Sequence, residues 1–169
     1  LVLLNFNLNS DLKMKKIYFI LFLAIMFQIN SNAQDYKTSL GIRAGLPVGA
    51  TLKHFLNETN AIEAILASRW AGFVATGLYE FENWTGEYPA LNWYWGAGAH
   101  VGAWSEGYNP RLDYSYSGAV IGIDGILGLE YTFDEIPLNL SLDLLPSINL
   151  IGSTGWGGIN CALSIRYVF

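Results

Sequence analysis

Cysteine is nearly absent: Cys161 stands alone in 169 residues, so no internal disulfide can form. Its plainest reading is a small apolar side chain on the apolar face of a strand. It also lies far from the N-terminal third, so no cysteine is placed for lipidation at a processed N-terminus. Charge is scarce as well, at 14% of residues. A soluble β-sandwich normally covers its solvent face with Lys and Glu, and this chain has too few for that. Nine Lys and Arg face fourteen Asp and Glu, and they form no basic patch, which argues against nucleic acid as a partner. With two histidines, His54 and His100, and no His, Cys or carboxylate cluster at metal-ligand spacing, no metal or cofactor is expected. At 52% hydrophobic the chain is too apolar to be disordered.

Long apolar runs are missing too, with one exception near the N-terminus. Lys13, Lys15 and Lys16 precede an apolar stretch from Ile17 to Ile29, and Ser31-Asn32-Ala33 supplies the small residues a signal peptidase reads. The run is shorter than the roughly 20 residues of a membrane-spanning helix and carries Gln28. Residues 14–33 are therefore expected to be a cleaved signal peptide, and residues 1–13 an upstream extension from a start placed too early. Residues 35–169 remain as one domain, more acidic than the whole chain.

That domain reads as a series of alternating strands. From Gly158 to Phe169, the residues Ile159, Cys161, Leu163, Ile165, Tyr167 and Phe169 alternate with small or polar ones, the period of a strand with two unlike faces. The same period recurs in Ser39–Gly45, Ala50–Leu56, Ala61–Trp70, Phe73–Glu82, Leu91–Trp104, Ala119–Phe133 and Leu138–Leu150, separated by turn signals such as Asn57-Glu58-Thr59-Asn60 and Asp134-Glu135-Ile136-Pro137. Pro146 cannot donate to a ladder and calls for a bulge or local gap. Ser105 to Gly118 reads as the longest loop. Eight strands, an even number, fit an all-β fold: a closed eight-stranded antiparallel up-and-down transmembrane β-barrel.

Alternation alone does not separate a membrane barrel from a soluble lipocalin-like one. The polar face is built mainly of Gly, Ser, Ala, Thr and Asn with scattered charges, which suits a crowded lumen better than bulk water. Arg43, Lys53, Glu63, Arg69, Glu80, Glu82, Asp124, Glu130, Asp143 and Arg166 fall on it. Enclosed charges are costly unless paired, so an internal salt-bridge network is expected, in a lumen that side chains fill. Trp70, Tyr79, Phe81, Trp93, Tyr131, Phe133, Tyr167 and Phe169 lie near strand ends, where aromatic girdles sit at both interfaces.

With the signal, the eight strands and the terminal Tyr167-Val168-Phe169, the chain resembles the small OmpA/OmpX-like outer-membrane barrels. Gly128-Leu129-Glu130-Tyr131-Thr132-Phe133 followed by Ile136-Pro137-Leu138-Asn139-Leu140-Ser141-Leu142-Asp143 looks especially like barrels of Bacteroidetes-type bacteria. The resemblance implies an integral outer-membrane protein of a Gram-negative cell envelope, with no shared catalytic residues. It implies outer-membrane lipid and lipopolysaccharide as surroundings, and barrel assembly machinery that reads the aromatic end, Tyr167 and Phe169. A monomer with a structural or surface-interaction role is expected. Tyr108, Arg111, Asp113, Tyr114 and Tyr116 of the long loop are the expected contacts for a surface ligand whose identity stays open.

Other readings remain. Some such barrels are lipid A deacylases with a His, a Ser two residues later and a Glu, but His54 is followed by Phe55-Leu56 and His100 by Val101-Gly102. His54 is expected to be interfacial and His100 to join the lumen network. The glycines of Gly96-Ala97-Gly98-Ala99-His100-Val101-Gly102 share one strand face and lack the helix of a nucleotide loop, so they are expected to serve packing. A narrow pore and a soluble binding barrel are the further alternatives.

Overall fold

The computed structural model describes residues 37–69, 72–84, 86, 90–109, 114–152 and 154–169. The extension 1–13 and the signal 14–33 lie outside the described residues, as do Trp70, Arg111 and Asp113. Among the described residues no helix is long and apolar enough to cross a membrane.

Eight strands follow one another: β1 (Thr38–Gly45), β2 (Val48–Phe55), β3 (Asn60–Arg69), β4 (Gly72–Trp84), β5 (Leu91–Asn109), β6 (Tyr114–Thr132), β7 (Leu138–Ile151) and β8 (Gly155–Val168). Each pairs antiparallel with the next, and β8 pairs with β1, so the sheet is a closed all-β barrel. Closure is completed at the chain end, where the Thr38 and Phe169 backbones exchange hydrogen bonds of 2.9 and 3.2 Å. The register is staggered as a barrel requires. A ladder followed from Ser39 through Lys53, Glu63, Leu78, Gly98, Asp124 and Ser147 arrives at Gly158, far along β8 from Val168, the residue Ser39 itself pairs with.

The side-chain period of two then sorts the residues. Ile42, Leu66, Phe73, Val101, Leu127 and Ile159 project outward and are exposed, whereas Lys53, Glu63, Glu80 and Arg166 project inward and are buried. The buried core of this molecule is thus its lumen.

Several boundaries differ from the sequence reading. Ser105 to Gly118 is not a long loop: β5 runs to Asn109 and β6 starts at Tyr114, with Gly107, Tyr108 and Asn109 paired to Tyr116, Ser115 and Tyr114. A one-residue register shift between Trp104 and Gly107 hides the continuity, because it reverses the alternation there. The β8 strand begins three residues earlier than expected, and its early part holds a bulge at Gly157, opposite the shift between Ser147 and Ile148. Gly158 takes φ +101° there, a conformation that favours glycine. The β7 strand is continuous through Pro146, and the missing N–H is absorbed by the β6–β7 ladder, in which Asp124 pairs with Ser147 and Leu127 with Leu144 while Gly125 and Ile126 have no register partner.

Candidate functional site

The lumen is layered, beginning at the rim that carries Thr38, Phe169 and the turns 56–59 and 133–137. Lys53 projects from β2 and is fully buried; its ammonium lies 2.8 Å from Glu130, 3.1 Å from Glu80 and in contact with Glu82. It also sits 4.2 Å from the ring centroid of Tyr94, a cation–π arrangement. Although Lys53 is the direct ladder partner of Glu63, it serves the three carboxylates of β4 and β6, because Arg166 reaches Glu63 from β8 at 2.7 Å. Arg166 also donates to Ser141 at 2.8 Å and Asn139 at 3.2 Å. Thr51 donates to the Glu63 oxygen that Arg166 uses. Arg43 grips Asp143 through both terminal guanidinium nitrogens, and the Tyr94 hydroxyl donates to Asp143 at 3.2 Å. Buried charges need such pairing, since an unpaired one in low dielectric is strongly destabilising.

Next to this ionic layer lies an apolar one. Ile65, Ala67, Leu78, Ile126 and Leu145 point inward and pack with Tyr94. The alternation places Ile65 and Leu78 on the inner face, but Ile126 and Leu145 are easily missed. Each belongs to a doublet, Ile126-Leu127 and Leu144-Leu145, in which one member faces out and the other in. Toward the far rim a polar group follows: His100 Nδ1 lies 2.8 Å from Asp124, and its Nε2 lies 3.0 Å from Asn149 Oδ1. Glycine makes room for the large inner side chains. A Cβ on Gly128 would lie 2.4 Å from Tyr94 Cζ, and one on Gly122 would lie 2.4 Å from His100 Cε1.

The expected site residues are thus distributed as follows. Arg43, Lys53, Glu63, Glu80, Glu130, Asp143 and Arg166 meet in one ionic layer together with Glu82, and Asp124 joins His100 across the apolar layer. Arg69 ends β3, with its side chain outside the described residues. Tyr108, Tyr114 and Tyr116 stand in the paired β5–β6 hairpin, and Arg111 and Asp113 fall in its undescribed tip. Tyr167 and Phe169 stack with centroids 6.4 Å apart at the closing seam. His54 faces outward, with Nδ1 2.8 Å from the Thr38 hydroxyl. The described aromatics expected to form girdles collect on the half that carries Thr38 and Phe169, where Phe81 stacks on Trp95 at 4.7 Å and Tyr131 meets Phe133 edge to face. At the other end Phe73 and Trp156 are exposed.

This antiparallel eight-stranded cylinder has a counterpart among solved structures. The fold is similar to that of the N-terminal β-barrel domain of Pseudomonas aeruginosa OprF. The superposition has a TM-score of 0.59 at 15% identity, and covers 79% of this chain and 96% of the OprF domain. At that identity the likeness to OprF is one of fold. No family model matches the chain, and no curated protein does.

Proposed function

We propose that the chain is an integral outer-membrane β-barrel of the OmpA/OmpX-like kind, exported by the signal at 14–33, with a structural or surface-interaction role and no catalysis. The observation that carries this reading is the inverted distribution of side chains. Ile42 is 67% exposed, Leu66 65% and Phe73 75%, while Lys53 and Arg166 are at 0%. Soluble monomers rarely expose a contiguous apolar surface of more than a few hundred Å². Leaving one Leu or Ile in water instead of burying it costs about 1.5–3 kcal/mol, and here such residues encircle the barrel. In hydrocarbon that penalty vanishes, and the closed ladder leaves no open sheet edge to be solvated. The likeness to the OprF barrel domain supports the same reading.

The filled lumen supports a barrel that does not conduct. Among the described residues the hydrolase alternative finds no Ser or Glu partner for a histidine on the outer face: outward His54 is hydrogen-bonded to Thr38, and the His100–Asp124 pair faces the lumen. The β5–β6 hairpin, whose described pairing continues beyond the β4 ladder's end at Gly72 and Trp104, is the surface we assign to contact with an outside partner or lipopolysaccharide. Membrane fractionation with heat-modifiable gel migration tests the reading. The protein should pellet with outer membranes and migrate faster before boiling than after it; release without detergent would contradict it. Removing 105–118 should leave that migration intact while abolishing surface binding, and an unchanged binding profile would remove the assigned role from the hairpin.

A further inference from the structure

Above the apolar layer, toward the far rim, the lumen carries a second polar level, separate from the ionic one. Thr76, His100, Asp124, Ser147 and Asn160 face inward there from the five successive strands β4 to β8. Thr76 pairs with His100, Asp124 with Ser147, and Asn160 with Leu145 of the apolar layer. On β1, β2 and β3 the same level falls at Gly45, Gly49 and Ala67: Gly49 pairs with Ala67, and Gly45 with Ala162, the next inward residue to Asn160 on β8. One side of this level thus bears polar side chains while the opposite side bears almost none, which leaves space between them. Ile65, Leu78, Ile126 and Leu145 close that space from below.

Solvent reaches this level, as it does not reach the ionic one. The five polar residues keep 5–8% of their surface exposed, whereas Arg43, Lys53, Glu63 and Arg166 keep 0–2%. Asn160, at 5%, has an Oδ1 atom that accepts no hydrogen bond, and a buried acceptor without a donor is costly. The two charged groups described at this level satisfy each other. His100 Nδ1 lies 2.8 Å from Asp124 Oδ2, and its Nε2 is held by Asn149 at 3.0 Å. Trp104 faces inward above His100 and is half-buried. A Cβ on Gly72 would lie 2.4 Å from Trp104 Cδ1, and one on Gly102 would lie 2.5 Å from Cη2 and Cζ3. The indole therefore spans both glycines along the wall and turns a face to the lumen.

We propose that the far half of the lumen binds one neutral sugar ring, which stacks on Trp104 and donates a hydroxyl hydrogen bond to Asn160 Oδ1. Three features select this class of ligand. A polyhydroxylated ring supplies the donor that Asn160 lacks, and the Thr76 and Ser147 hydroxyls can each donate or accept. The negative face of an indole attracts the C–H groups on the flat side of a pyranose. The His100–Asp124 pair leaves no described charge at this level for an ionic ligand to neutralise. An eight-stranded barrel is wide enough for one small ligand where side chains do not fill it, and Gly45, Gly49 and Ala67 provide that width. The site needs only the closed wall and its apolar floor, so it is independent of what surrounds the barrel.

Equilibrium dialysis tests this, with the folded protein in a zwitterionic detergent that itself carries no sugar. The probes are radiolabelled methyl glucoside, methyl galactoside and methyl mannoside. The native protein should bind at least one of them saturably, with one molecule per barrel. Asn160→Ala and Trp104→Ala should each weaken that binding by about tenfold or more, while both still migrate faster before boiling than after it. Ser39→Ala, at the opposite end of the lumen, should bind as the native protein does. No saturable binding of any of the three sugars by the native protein, which needs no variant to fold, would overturn the proposal. Unchanged binding in either Asn160→Ala or Trp104→Ala would overturn it too.

Discussion

Lys53 shows how much one side chain carries in this lumen. Its ammonium balances Glu80, Glu82 and Glu130 at once and rests on the Tyr94 ring. Replacing it with Met keeps the stem and strands those carboxylates, so Lys53→Met should lower stability by about 3–5 kcal/mol, read from urea unfolding in detergent. Tyr94→Phe removes only the hydrogen bond to Asp143 and should cost about 1 kcal/mol. That these charges share one face is legible in the sequence, because a period of two puts residues 43, 53, 63, 80, 130, 143 and 166 on the inner side of their strands. Their pairing is not legible. It depends on stagger, which turns Lys53 away from its ladder neighbour Glu63 toward β4 and β6 and brings Arg166 across the barrel instead.

At the level of strands, alternation was informative wherever it ran unbroken and misleading wherever it slipped. The β6 pattern of Ile121, Ile123, Leu127 and Leu129 is plain, but the doublets Ile126-Leu127 and Leu144-Leu145 hide an inward-facing apolar layer. The slip between Trp104 and Gly107 made a paired hairpin resemble a loop, since tyrosine, serine and glycine there satisfy turn and strand patterns alike. Glycine in β6 serves packing: Gly128 leaves room for Tyr94 and Gly122 for His100. Gly128→Ala should therefore destabilise by about 1–3 kcal/mol through overpacking. In a Tyr94→Ala background most of that penalty should disappear, and additive costs in the double-mutant cycle would separate Gly128 from Tyr94.

For the molecule as a whole, the decisive relation is between the outer belt and its solvent. Leu142 is exposed on the outer face beside Leu129 and Leu163. In vesicles Leu142→Arg should cost about 2–4 kcal/mol if the position lies near the bilayer midplane, whereas an exposed charge on a water-soluble barrel would cost almost nothing. Cys161 offers the most direct measurement, being the single cysteine and exposed on the outer face of β8 opposite Leu144 of β7. A fluorophore attached to Cys161 in vesicle-reconstituted protein should be quenched by spin-labelled lipid chains and shielded from aqueous iodide. Quenching by iodide with no response to the labelled lipid would contradict the account.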